Sequence, residues 1–337
     1  MKKRHADEGI DIHGKTVTSS DMAKKVITAA AKARERDTLL RALQRERDEL
    51  LAEFTAYRTA RPVPKAPQAI REGRSDKVRI SAGDLHGMRQ DPKAAAAFIA
   101  DLKTWNPDEI VFLGDMNDCE GWLAQHHTIG YVANCDYSYA EDTKATNAFL
   151  DAVQEAAPHA VIHWIMGNHD DRVERAITDL TLGHQMDSAM LLKLWGPANV
   201  LRLEERGVKV YKRDGIYVEG YPRGWIKLGK MCFTHELGKG KNAARDAVAK
   251  SAVNVTFGHT HRDDSATIVF PGVGICKAFN PGCLCLMQPI YMHSDPTSWS
   301  QGYDIDFVAK SENFQRVHVP IWRGESLAGA MIERFKS

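Results

Sequence analysis

Five short apolar runs, each broken off by a polar cluster, constrain this chain more than any other feature. KVRISA (77–82) leads into GDLHG (83–87), and EIVFLG (109–114) overlaps GDMND (114–118). AVIHWIM (160–166) leads into GNHDD (167–171), KMCFTH (230–235) delivers His235 with Glu236 behind it, and VNVTFG (253–258) delivers GHTHR (258–262). Runs this short, rich in β-branched and aromatic residues, read as buried strands. The intervening stretches 91–105 and 143–157 have helical periodicity, and GICKAF, YDIDFVA and QRVHVPI add further strands. Strands alternating with helices predict an α/β layered core. At 43% hydrophobic and 26% charged residues, the 337-residue chain has the composition of a globular protein with a sizeable core.

Ahead of this core, residues 19–58 run without Gly or Pro through Ala, Leu, Glu, Lys and Arg and predict a long helix, with Arg36–Thr38 as the place where it would divide. Leu40, Leu43, Leu50, Phe54 and Tyr57 share a coiled-coil-like stripe that Arg47 interrupts, so self-association or docking is favoured over DNA reading. Residues 61–76, rich in Pro and charge, read as a linker. The expected organisation is a helical arm over 1–60, a linker over 61–76 and a catalytic-type domain over 77–337. Residues 1–76 hold 17 Lys or Arg against 12 Asp or Glu, a mildly basic arm before a mildly acidic body, while the net charge of +1 names no partner. Six cysteines without a C-x-x-C pair suggest reduced thiols and a cytoplasmic location, and no window is apolar enough for membrane insertion.

One Gly-Asp is usually a turn, and a lone strand histidine such as His163 is a core residue. Five clusters at strand ends are different, because such ends converge on one edge, where α/β sheets place ligands. The carboxylates of Asp84 and Asp115, the imidazoles of His86, His235, His259 and His261, and the amide of Asn168 form a mixed oxygen and nitrogen set. It suits manganese, iron, zinc or cobalt better than structural zinc or calcium. Seven ligands exceed one ion's needs but suit two ions sharing a carboxylate, the arrangement that clamps a phosphoryl group and lowers the pKa of water.

GDLHG, GDMND, GNHD, THE and GHTH, in this order, resemble the signature motifs of the calcineurin-like metallophosphoesterase superfamily, with NPGC (280–283) resembling a turn common in it. The resemblance implies a layered αββα core with mixed sheets. It implies that Asp84, His86 and His261 hold one divalent ion, that Asn168, His235 and His259 hold the other, and that Asp115 bridges them. Manganese is the first expectation, with iron, zinc, cobalt or nickel as alternatives. His169 matches the residue that contacts phosphate and protonates the leaving oxygen, and Asp170 the residue that orients it. Asn117 or Asp118 would assist the bridging loop.

Arg172 is a candidate phosphate contact through its planar fork, with an ion pair to Asp171 or Glu174 as the alternative. GDMNDCEG lacks the arginine that protein phosphatases of this superfamily carry at the second motif, and GHTH is the pattern of its diesterase and nuclease branches. Residues 279–304 resemble tails of phage and prophage phosphoesterases. Trp122, His126, His127, Tyr131, Tyr137 and Tyr139 offer faces for base stacking, although packing onto the protein's own body is favoured. Cys283 and Cys285 read as strand-end packing residues. The expected function is therefore a phosphodiesterase or nuclease acting on DNA or RNA, with the N-terminal helix as the expected route to a homo-oligomer. The alternatives are a phosphomonoesterase or nucleotide hydrolase, and a non-catalytic module that holds metal while the arm binds a partner.

Overall fold

The structure, a computed structural model, describes residues 9–10, 16–17, 19–60, 76–124, 136–182, 184–288 and 297–326. The chain divides into two compact units, Met1–Pro62 and Val63–Ser337. The first is dominated by helix α1 (Ser19–Ala60), which is continuous through Arg36–Thr38. No breaker lies there, and the Thr38 hydroxyl donates back to the Arg34 carbonyl at 2.9 Å, so the helix absorbs its polar side chain. Among the stripe residues, Leu40 and Leu43 are exposed, while the side chains of Leu50, Phe54 and Tyr57 lie outside the described residues.

The second unit begins with β1 (Lys77–Ala82), α2 (Pro92–Trp105), β2 (Glu109–Phe112), α3 (Tyr139–Ala156) and β3 (Val161–Ile165). Pro92 at the first turn and Asp91, whose carboxylate accepts from Lys93 N and Ala94 N, start α2. α3 starts earlier than the apolar period suggests, because Ser138 caps it and Glu141 and Asp142 occupy its first turn. Two longer helices, α4 (Arg172–Leu180) and α5 (Gln185–Trp195), and a single helical turn at Pro197–Val200 then occupy the insertion after β3, before β4 (Lys209–Tyr211). The remaining elements are β5 (Ile226–Leu228), β6 (Met231–Phe233), α6 (Ala243–Ser251), β7 (Val255–Thr256), β8 (Asp263–Phe270), β9 (Gly274–Pro281), β10 (Gly302–Val308), β11 (Phe314–Trp322) and β12 (Glu325–Ser326).

Two mixed sheets result. The seven-stranded sheet runs β12-β11-β10-β1-β2-β3-β4, with β1 to β4 parallel and the others antiparallel. The five-stranded sheet runs β8-β9-β7-β6-β5, parallel only at β9-β7-β6. Between them lie Val111, Leu113 and Ile165 from one sheet and Ile226, Met231 and Phe233 from the other, all buried. Arg316 on β11 spans the same layer: it pairs with Asp304 and Asp306, donates to Thr256 Oγ1 at 2.6 Å and stacks 4.3 Å from the Phe279 ring. On the outer faces, Phe98 and Phe149 pack against Phe112 and Tyr303, and α6 lays Ala243, Ala247 and Val248 against Val255 and Ala278. The layers are thus α, β, β, α, as expected. His163, on β3, is the core residue its setting suggested, with Nδ1 2.9 Å from the Tyr211 hydroxyl.

Candidate metal centre

The loops that leave β1 and β2 run side by side. Asp84 N donates to Gly114 O, His86 N to Asp115 O and Gly87 N to Met116 O, at 2.8 to 3.0 Å. The loop after β7 joins them through His259 N, which lies 3.0 Å from an Asp84 carboxylate oxygen, and Gly258 N donates to His235 O at 2.9 Å. This crossing of loops forces unusual backbone geometry. Asp84, His86, Asp115, His259 and His261 all have φ between 50° and 72°, a left-handed conformation that costs a non-glycine residue about 1–3 kcal/mol and recurs at functional sites. Close approach adds a second constraint: a Cβ on Gly167 would lie 2.1 Å from Asp115 Oδ1.

The side chains converge in two groups. In the inner one, His261 Nε2 is 3.1 Å from Asp84 Oδ1 and 3.1 Å from His86 Nε2. In the outer one, Asn168 Oδ1 is 3.0 Å from His235 Nε2 and 2.8 Å from His259 Nδ1, and Asp115 Oδ2 is 3.2 Å from His235 Nε2. Asp115 is clustered both with Asp84 and His86 and with His235 and His259. All seven residues singled out in the sequence are therefore brought to one edge of the two sheets.

The donor set fits divalent ions. Ligands about 2.1 Å from a cation and at right angles sit about 3 Å apart, the spacing seen here. His86 Nδ1 faces Asp118 Oδ1 at 2.9 Å and His235 Nδ1 faces the Leu113 carbonyl at 2.7 Å, which leaves both Nε2 atoms turned toward the carboxylates. Burial opposes charge on these groups, yet the hydrogen bond that His86 donates to Asp118 and the charges of Asp118, Asp115 and Asp84 raise the pKa of His86 to about 9. The Asp115 and Asp84 carboxylates raise His235 to about 9 against the same burial. Burial also opposes ionisation of Asp115, but His235 and His169 hold it well below the usual carboxylate range. Buried carboxylates that draw protons onto neighbouring imidazoles make a site that favours a cation.

His169 stands beside this centre, partly exposed, with Nδ1 2.6 Å from the Asp118 carbonyl and Nε2 2.9 Å from Arg172 Nη2. Arg172 can only donate, so Nε2 accepts and Nδ1 carries the proton. Burial is the main reason that His169 is shifted below the ordinary imidazole pKa.

Two sequence expectations need correction. Asp170 does not face the His169 ring: it accepts from Gly167 N and Asn117 N at 2.9 and 3.0 Å, because the turn 167–171 folds its carboxylate back onto its own backbone. Asp118 supplies the contact instead, its Oδ1 lying 3.5 Å from His169 Nδ1 as well. Burial and the nearby Asp115 charge raise Asp170 to about 7. Arg172 does not pair with Asp171 or Glu174. It is buried and also donates to the Cys119 carbonyl at 3.2 Å.

Asn117 is buried with no partner for its side-chain amide among the described residues. Tyr137 and Tyr139 pack inward, donating to Asp142 and to the Trp195 carbonyl, while His126, His127, Tyr131 and the Trp122 side chain lie outside the described residues. The sequence reading missed Asp142. Its carboxylate accepts from Met88 N, Asp118 N and Cys119 N and so ties the first two site loops together. Only its place in the first turn of α3, after Ser138, hinted at it.

Similar solved structures include YfcE, a phosphoesterase from E. coli (15% identity, 71% of this chain and 98% of that one, TM-score 0.31). Others are a single mutant of Vps29 from Entamoeba histolytica (12%, 74% and 95%, TM-score 0.33) and vacuolar protein sorting 29 from Cryptosporidium parvum (12%, 75% and 95%, TM-score 0.38). No curated protein sequence matches the chain. The profile of the calcineurin-like phosphoesterases matches residues 81–308, a span that contains all five clustered strand ends and about two thirds of the sequence. With the loops of that span meeting at one carboxylate-imidazole centre, the chain belongs to the calcineurin-like phosphoesterase family.

Proposed function

We propose that the protein is a binuclear metal-dependent phosphodiesterase, with nucleic acid as its first substrate class. The observation that carries this reading is the position of Asp115 between two ligand groups. In it Asp84, His86 and His261 hold one ion, Asn168, His235 and His259 the other, and Asp115 both, with manganese expected first. Such a pair, when bound, clamps phosphoryl oxygens and lowers the pKa of an attacking water. His169 then passes a proton to the leaving oxygen, positioned by Asp118. Arg172 holds His169 Nε2 until a substrate phosphate, a stronger acceptor, draws the guanidinium away and frees that nitrogen to take a proton from solvent, giving the imidazolium whose Nε2 proton goes to the leaving oxygen. The unpartnered Asn117 amide is a further substrate or water contact.

A cleft of about 690 Å³ adjoins His235 and is lined by Lys212, Arg213, Arg223 and Trp225, together with Asp171, Glu174, Asp214 and Glu236. It supports a substrate larger than a phosphate monoester. Its mixed charge, with Arg213 paired to Asp171 and Glu236, favours a small nucleotide as the second reading, since a polymer track is predominantly basic. Manganese-loaded protein should hydrolyse bis-(p-nitrophenyl) phosphate, and single- or double-stranded DNA or RNA. Turnover of nucleotides but not polymers would select the second reading, turnover of monoesters alone would refute the diesterase, and two bound ions without any turnover would leave a non-catalytic module.

The phage-type resemblance of 279–304 belongs to the same proposal, with 289–296 outside the described residues. So do a cytoplasmic location, supported by five free described cysteines, and self-association of α1, supported by Val26, Leu40 and Leu43 being 67%, 48% and 52% exposed. Sedimentation velocity tests the last, a monomer at all concentrations refuting it.

A further inference from the structure

A histidine that binds a metal through one ring nitrogen needs an acceptor on the other, which fixes the tautomer and the ring's orientation. Oxygen does this for His86 (Asp118) and His235 (Leu113). His261 is different. Its Nε2 faces Asp84 and His86, and its Nδ1 faces the sulfur of Cys285 at 3.8 Å. Cys285 is buried, and its strand segment is pinned to the centre: Leu284 N donates to Asp84 O, Leu286 N to Arg89 O, and Gln301 Nε2 to Cys285 O. The Trp299 ring, 4.1 Å from that of His261, closes another side. The thiol is thus held against one nitrogen of a candidate ligand by the same backbone that carries the ligand's neighbours. That is more than the packing role which its position at a strand end suggested.

We propose that Cys285 is the positioning residue of His261. Its sulfur accepts the Nδ1 proton and so commits Nε2 to the inner ion. Sulfur at this distance is a weaker and longer-range acceptor than the oxygens behind His86 and His235. His261 is therefore the least firmly oriented of these three imidazoles, and Cys285 sets how tightly the inner ion is kept. The inference rests on the metal reading proposed above.

The test measures metal, not turnover. Wild type, Cys285→Ala, Cys285→Ser and Cys283→Ala are loaded with Mn²⁺, and bound metal is counted by mass spectrometry over a titration while electron paramagnetic resonance reports coupled against isolated ions. Cys285→Ala is expected to lose about 10- to 100-fold in affinity for one ion, the effect typical of removing a histidine's outer partner, and to show an isolated-ion spectrum where wild type shows a coupled pair. Cys285→Ser, which keeps an acceptor, should fall between. Cys283→Ala should stay much closer to wild type, since the Cys283 sulfur touches the Ser300 carbonyl and the Cys285 thiol but not His261. Two ions held by Cys285→Ala with wild-type affinity would overturn the inference and leave the metal reading standing. Failure of wild type itself to bind would overturn the metal reading. Loss in Cys283→Ala equal to that in Cys285→Ala would show that general packing, not orientation, is at work.

Discussion

The two halves of the centre are built differently. Asp84, His86 and His261 are buried, and His86 is backed by Asp118, whose backbone is in turn held by Asp142. On the other side the His259 side chain is 28% exposed, and His235 borders the cleft lined by Arg213 and Arg223. On the metal reading proposed above, the inner half would retain its ion and the outer half would exchange with whatever enters the cleft. Asp115 joins these two behaviours, so its loss should erase the difference. Asp115→Asn is expected to have the largest effect of any substitution here, abolishing turnover and removing both ions. A variant that kept two ions would show that the halves are independent sites.

His169 tests the chemistry beside the centre: its ring packs edge-on 4.5 Å from that of His86, and its backbone N, which a side-chain substitution keeps, donates to Asp115 Oδ1 at 2.7 Å. His169→Ala should retain both ions and lose about 10²- to 10⁴-fold in the rate of diester cleavage, the span usual for a general acid. The loss should shrink for substrates with a very acidic leaving group, which need no proton. An equal loss across leaving groups would assign His169 to binding, and lost metal would place it among the ligands.

How much of this was legible in the sequence follows the same division. Glycine-flanked ligands at strand ends are local patterns, and the topology that gathers them follows from strand-helix alternation, so the seven candidate ligands could be read before any coordinates. What supports them is tertiary. That Asp118 and not Asp170 meets His169 depends on how the loop after β2 lies over the turn 167–171, and adjacency in sequence pointed to the wrong carboxylate. Asp142 lies 24 residues beyond Asp118 and reaches it only because α3 starts at Tyr139. Arg172 stood in the sequence as a candidate phosphate contact or as an ion-pair partner of Asp171 or Glu174, and the start of α4 buries it instead against loop carbonyls. Periodicity could not show this, since a buried guanidinium in contact with loop carbonyls has no sequence signature.

That correction makes a smaller prediction. Asp118→Asn should lower turnover about 10- to 100-fold, as expected for a residue that orients both His86 and His169. It should also weaken metal retention on the inner side. Asp170→Asn should change the rate less, because this carboxylate meets backbone N–H groups and not the His169 ring, although the amide oxygen of the variant can accept from only one of Gly167 N and Asn117 N. Asp170 is also raised to about 7, so it is already largely neutral below that pH. If Asp170→Asn were the more damaging of the two, the assignment of roles made here would be reversed.

The smallest expected effect concerns stability, and it separates the metal-free from the loaded protein. His86 and His235, both raised from 6.5 to about 9, bind protons more tightly in the fold than in the unfolded chain. Their contribution is complete below pH 6.5 and is lost as pH rises toward 9. Each is worth at most about 3 kcal/mol, less for a coupled pair. Asp170 destabilises in a lower window, as pH rises from its ordinary value of 3.8 to about 7, and His163, lowered to about 4, costs stability only as pH falls below 6.5. The interval from 7 to 9 therefore belongs to the two candidate ligand histidines together with His318, which Asp304 raises against its burial. Chelated protein should melt roughly 5–10 °C lower at pH 9 than at pH 7, taking about 2–4 °C per kcal/mol for a domain of this size. Divalent ions reverse the sign, because ligands must be deprotonated to bind them, and stabilisation by saturating Mn²⁺ should grow over the same interval. Parallel slopes with and without the ion would mean that these imidazoles are not where the cation sits.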